Sequence, residues 1–249
     1  MSIIPAPIVR FYHKTASPPF FYNLSNKLLP WLTVIFLMLL AYGLYAGLYL
    51  APTDYQQGDS YRIIYVHVPA AWMSLFIYVV MAIAGAISLI WRMKIADVVL
   101  ISSAPIGASF TFIALVTGSL WGKPMWGTWW VWDARLTAEL ILLFLYLGVI
   151  SLYGAIEDKR TASKAVSILA LVGVVNIPII KKSVDWWSTL HQPASISISD
   201  GASIDPSMLY PLTISIFGMA LTMIALGILV SKLYIFTREK NKKWVQSHV

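Results

Sequence analysis

Trp121-Gly-Lys-Pro-Met-Trp-Gly-Thr-Trp-Trp-Val-Trp-Asp-Ala-Arg-Leu-Thr137 joins two long apolar runs. A plain connector between such runs would be small and polar, whereas this one carries five tryptophans, two glycines, two cations and one aspartate. Indoles bury large areas of an aromatic ligand, and glycines let the backbone come close to it, so the segment suits a flat guest. Lys123 and Arg135 can meet acidic groups at the guest's edge, Arg135 being the better fork for a carboxylate.

The flanking runs set the fold class. The 249 residues are 59% hydrophobic and 12% charged, with a mean hydropathy of +0.74. That is far more apolar surface than a soluble domain needs, and it predicts an all-α integral membrane protein. A hydrocarbon core takes about 20 helical residues to cross. Six stretches qualify: 28–50, 68–90, 95–120, 137–156, 165–180 and 209–236. The expected architecture is a bundle of six transmembrane helices with a tryptophan-rich outer loop. The fifth stretch is short and carries Asn176 and Pro178.

An even number of spans puts both termini on one side of the membrane. Thirteen of the 18 lysines and arginines fall on that side and five across from it: Arg62, Lys123, Arg135, Lys181 and Lys182. The bias makes the termini cytoplasmic. Lys181 and Lys182 run against it, as snorkelling side chains or as groups kept for a ligand. Residues 1–27 then form a cytoplasmic segment, 28–236 the membrane domain and 237–249 a basic cytoplasmic tail. Residues 1–27 lack the apolar core of a cleavable signal peptide, so the first span is expected to serve as the insertion signal. The net charge of +7 comes from loops and tails that write topology, not from a nucleic-acid surface. With no cysteine in the chain, disulfides, zinc-thiolate sites and covalent attachment of a cofactor through this chain's thiols are excluded.

Of the four histidines, His13 and His248 lie in the tails. His67, at the outer mouth of span two, and His191, in outer loop three, both fall on the tryptophan side. Pro69 and Pro193, each two residues further on, stiffen the local chain. Two histidines without a cysteine are too few for zinc. Several residues also have plain structural readings. Tryptophans form belts at membrane interfaces, although a belt supplies one or two per helix end and the inner side here has only Trp91, Trp244 and Trp31. Asp133 sits where a helix N-cap belongs, Arg135 can anchor an interface, and Glu139 is either an interfacial acid or a functional one. No serine or threonine comes with a base and an acid in one loop, and no phosphate-binding glycine loop is present, so an enzyme is not expected.

The pattern Trp-Gly, Trp-Gly, Trp-x-Trp-Asp resembles the WWD signature of the heme-handling family of cytochrome c maturation. The resemblance extends from about residue 28 to residue 236 and implies the heme exporter C (CcmC) branch. It implies a bacterial inner-membrane protein that binds heme b non-covalently on its periplasmic face and passes it to a periplasmic heme chaperone. Association with an ABC-type ATPase, its permease subunit and a small single-span protein is implied too. In that reading His67 and His191 are the axial ligands of the iron. Trp121, Gly122, Trp126, Gly127, Trp129, Trp130, Trp132 and Asp133 form the heme platform, while Lys123 and Arg135 meet the propionates. Two other readings are a b-type electron-transfer subunit, which would place histidines inside helices in pairs across the membrane, and a glycan or lipid-linked sugar transporter, which would leave the two histidines unexplained.

Overall fold

A computed structural model describes residues 17–192, 196–197 and 201–247. His13, His248 and Pro193 lie outside the described residues. The protein is an all-α, multi-pass membrane protein with six helical segments long and apolar enough to cross a bilayer. In chain order the elements are α1 (Pro18–Tyr45), a π-helical turn (Ala46–Leu50), a 3-10 turn (Asp59–Ile63), α2 (Ile64–Trp91) and α3 (Lys94–Trp126). Then come α4 (Ala134–Ala155), α5 (Lys159–Gly173), α6 (Asn176–Trp186), two-residue strands β1 (Ile196–Ser197) and β2 (Gly201–Ala202), α7 (Pro206–Glu239) and α8 (Lys243–Gln246). The strands pair antiparallel in the loop before α7.

Helix ends follow local chemistry. Ser17 caps α1 with Pro18 in the first turn. Asp158 caps α5 through the amides of Arg160 and Thr161, and Asp205 caps α7, again followed by proline. Gly127 ends α3 with φ 75°, the left-handed conformation that glycine adopts without strain. Several helices outrun their apolar stretches. Helix α1 begins at Pro18 instead of near residue 28, and α3 continues to Trp126 instead of ending near 120. Hydropathy marks the hydrocarbon slab, whereas a helix continues into the interface until a cap or breaker stops it.

The fifth span is a broken helix. Helix α5 stops at Gly173, the chain turns through Val174 and Val175, and α6 restarts at Asn176, so the crossing takes residues 159–186. Pro178 supplies the cause: it has no N–H, and its ring clashes with the carbonyl four residues earlier, at Val174. Asn176 Nδ2 donates to Ala138 O at 2.9 Å and ties the break to α4. Lys182 pairs with Asp185 at 2.9 Å, which offsets part of the misplaced charge on this segment.

Helices α2, α3, α4 and α5 enclose the main core, built on Tyr78, Met81, Leu100, Ala104, Leu142, Tyr146 and Ala170. Tyr146 settles against Gly107 and donates to Ser74 O at 2.7 Å. Helix α1 packs chiefly on α7 through small residues: a side chain at Gly218 would lie 2.9 Å from Leu40 N, and one at Gly43 would lie 2.7 Å from Ser215 Oγ. Close backbone approach at small residues is how membrane helices associate, since lipid offers no hydrophobic drive between them. Gly218→Val is therefore expected to cost about 1–3 kcal/mol by overpacking, read as a lowered thermal midpoint, with disulfide trapping of cysteines placed on α1 and α7 showing the two helices apart.

The two ends of the bundle differ. At one, the Tyr22 and Phe236 rings meet at 4.9 Å, Arg238 pairs with Asp97 at 3.2 Å and Lys94 with Glu239 at 3.5 Å, so the start of α1, the start of α3 and the end of α7 lie together. At the far end, the polar first loop, the last turns of α3 and the loop after α6 surround a cavity.

Candidate functional site

The far-end cavity is walled by His67 from α2, Trp121, Gly122 and Trp126 from α3, Trp130 from the following loop, Arg135 and Glu139 from α4, and His191 from the loop after α6. Its enclosed volume is about 80 Å³ and it opens outward into a wider cleft. Pockets that swallow a ligand of drug size run to about 300–1,000 Å³. The enclosed part of this cavity is smaller than that.

The two histidines come together. Their ring centroids lie 6.4 Å apart with planes 38° from parallel. Two imidazoles bonded to one metal ion from opposite sides, at about 2 Å each, place their centroids about 6 Å apart. Hydrogen bonds fix both tautomers. The Thr117 hydroxyl donates to Ile113 O at 2.6 Å, so toward His67 it accepts, and His67 Nδ1 at 3.0 Å is the donor. His191 Nδ1 lies 2.7 Å from the Gln192 carbonyl, which can only accept. Each ring keeps an unprotonated Nε2, the form that binds a metal, with its other nitrogen anchored by a neighbour. Burial holds the His191 imidazole below its ordinary value of 6.5, and the nearby Arg135 charge adds to this; the Gln192 carbonyl and Asp133 oppose it. It is neutral near pH 7.

His67 is not a loop residue. It lies one turn into α2, on a span, braced edge-on by Trp121 at 5.7 Å. A side chain at Gly118 would meet its Cε1 at 3.0 Å, so α3 presents a bare face to the ring. Trp121 is fixed in turn by a bond from its Nε1 to Gln57 in the first loop (2.8 Å) and by Tyr61 edge-on at 5.9 Å. Thr117, Gly118 and Trp121 share one face of α3 at helical spacing, a signal obscured for Trp121 because apolar length ends the third span at residue 120.

The tryptophan segment divides. Trp121 to Trp126 complete α3, and only Gly127 to Asp133 are irregular. Trp121, Trp126 and Trp130 face the cavity, while Trp129 and Trp132 stand outside it, 53% and 75% exposed. The indoles do not stack into a flat shelf: Trp130 and Trp132 meet edge to face at 5.5 Å. Gly122 makes room for Trp126, since a side chain there would come within 2.9 Å of that indole. Gly127 terminates the helix and faces open space.

The polar groups divide too. Asp133 is the N-cap of α4, its Oδ1 accepting from Leu136 N at 2.8 Å. Its Oδ2 and the Trp130 Nε1 are buried with no hydrogen-bond partner among the described residues; Trp130 lines the cavity, so its N–H is a donor that a guest there could satisfy, whereas Asp133 is not part of the wall. Arg135 donates to Ile180 O at 3.1 Å and so holds α6, leaving other donors of its fork for the cavity. Lys123 turns back, donating to Gly127 O at 3.0 Å with its ammonium 5.9 Å over the Trp129 ring, and takes no part in the cavity wall. Glu139 forms the floor and accepts from Ser74 Oγ at 2.8 Å. Among the described residues no three His, Cys, Asp or Glu side chains converge on one point. Two nitrogen donors underfill the coordination shell of a bare ion, but they complete an iron already held by four equatorial donors.

The sequence matches the family described as heme exporter protein C over residues 11–246. It is 54% identical over 233 residues to the heme exporter protein C of Escherichia coli K12, covering 94% of each chain. Against its counterpart from Haemophilus influenzae it is 48% identical over 238 residues, with 96% of this chain and 97% of the relative covered. The Bradyrhizobium diazoefficiens counterpart is 50% identical over 223 residues, 90% of this chain and 84% of the relative.

Proposed function

The chain belongs to the heme exporter protein C family, and from that premise we propose that it holds heme at the outer face of the bacterial inner membrane and hands it to a periplasmic chaperone. The carrying observation is the pair His67 and His191, ring centroids 6.4 Å apart, each with its Nδ1 anchored and its Nε2 without a hydrogen-bond partner among the described residues. The iron is ligated by these two nitrogens, and the heme stays non-covalent because the chain has no cysteine to bond a vinyl group. Trp121, Trp126 and Trp130 give the porphyrin apolar walls. Arg135 and the Trp130 N–H meet propionate oxygens.

The excess of basic residues at the terminal end supports a cytoplasmic position for that end, with the histidines toward the periplasm. Residues 28–236 form the heme-handling unit, flanked by cytoplasmic segments 1–27 and 237–249. Release follows from unequal ligands: His67 is set in a span, whereas His191 sits in a loop, and outward movement of that loop removes one axial bond and opens the cavity. The protein is a carrier, and the relatives are named as exporters, not as enzymes. An ABC-type ATPase with its permease, a small single-span protein and the chaperone are the partners this role implies.

The test is the absorption spectrum of the purified protein loaded with hemin. A Soret band and low-spin visible bands of six-coordinate heme are expected; a five-coordinate spectrum, or no retained heme, overturns the reading. Because burial lowers His191, its neutral form persists as pH falls through 6.5. The six-coordinate spectrum is expected to hold through that value and to give way only below it, in a pH titration of the loaded protein.

A further inference from the structure

A second cavity of about 300 Å³ lies in the opposite half of the bundle, between α1, α2, α3 and α7. It is roughly twice the 150 Å³ apolar cavity known to admit benzene. Its wall reaches from Phe21, in the first turn of α1, to Ser231, near the end of α7. Phe76 and Ile224 edge it and are 54% and 43% exposed on the lipid-facing surface, so it opens sideways into hydrocarbon.

The wall excludes a polar guest. Among the described residues, none that is charged lines it. Its three serines are occupied, Ser102 with Ser231 at 2.8 Å and Ser103 with Val99 O at 2.7 Å. A porphyrin with two carboxylates would find no cation and no free donor. An acyl chain needs neither. At the terminal end the slot is followed by Lys232, next in sequence to Ser231. Its ammonium bonds Asn26 at 2.5 Å and lies 5.0 Å over Tyr22, which keeps it at the level of the α1 end. An ammonium has three donors, so this one retains capacity for a phosphate.

We propose that this cavity binds one acyl chain of a membrane phospholipid, with the lipid's phosphate at Lys232. The lipid fills the wedge between the α1–α7 pair and the main core, where protein packing leaves space. The site is separate from the histidine cavity and does not rest on the heme reading.

Gly227 provides the test, because it lines the slot and a side chain built there meets nothing within 4 Å. A Cβ at this position meets open space, so Gly227→Leu directs its longer side chain into the slot, and removing a glycine from a helix interior favours the helix. Native mass spectrometry of the full-length protein, purified in mild detergent with added phosphatidylglycerol, should show one tightly retained lipid in wild type. Gly227→Leu should lower that retention about tenfold or more, the effect of displacing several buried methylenes, and Lys232→Gln should lower it less. Wild-type protein that emerges lipid-free, or equal retention in Gly227→Leu, overturns the proposal. A phospholipid carrying a diazirine in its acyl chain gives a reading on the unaltered protein. Crosslinks on the segments bearing Phe76 and Ile224 are expected, and crosslinks confined to other surfaces overturn the assignment.

Discussion

Replacing His67 and His191 together with alanine is expected to abolish six-coordinate heme and to lower heme retention by more than the roughly 10–100-fold typical of losing an outer-shell partner. Neither change should harm the fold. Alanine is a good helix residue at position 67, and His191 lies in a loop. The single variants should separate. His191→Gly opens the cavity at its loop side, so added imidazole should restore the six-coordinate spectrum. His67→Gly should resist such rescue, because that site is closed in by Thr117, Gly118 and Trp121. Thr117→Val keeps the ligand but removes its anchor, and a loss within that 10–100-fold range is expected. An unchanged Soret spectrum in the double variant would sink the axial assignment.

The membrane class, the number of spans and the pairing of two histidines with a tryptophan segment were legible because hydropathy, charge bias and residue type carry them directly. What was hidden depends on where helices stop. Apolar length ends the third span near residue 120, but Gly127 is the real terminator, so Trp121 to Trp126 read as loop when they are helix. Apolar length likewise starts the second span at residue 68, which left His67 at its outer mouth when it lies one turn inside α2, while Thr117 and Gly118, inside the expected third span, stand out only once the packing of α3 on His67 is known. Pro178 was visible as an oddity, yet that it splits the fifth span into two helices could be known only once Asn176 and Arg135 were seen holding the outer half to α4. The sorting of tryptophans into inward and outward members has no signature in a run of identical side chains, since an irregular loop has no period to read.

Arg135→Ala is the other large effect to expect, because this side chain serves two structures at once. Its bond to the Ile180 carbonyl fastens α6, the half-helix that leads directly to His191, while its position in the cavity wall makes it the propionate partner in the proposed reading. A hydrogen bond from a charged donor contributes about 1.5–3 kcal/mol. Losing the contact to Ile180 together with the propionate contact should lower heme retention by about two orders of magnitude or more. Lysine keeps the charge but lacks the planar fork, so it can satisfy one partner only. Arg135→Lys is expected to restore part of the heme retention while leaving α6 loose. Cysteine labelling separates the roles: a thiol introduced at Ser183, buried in α6, should become reactive in Arg135→Ala and Arg135→Lys alike, with or without heme. If that thiol stays protected in both variants while heme is lost, Arg135 acts on the ligand alone. If heme retention survives Arg135→Ala, its role as propionate partner fails, and the Trp130 N–H, a buried donor unpaired among the described residues, is left to carry that contact.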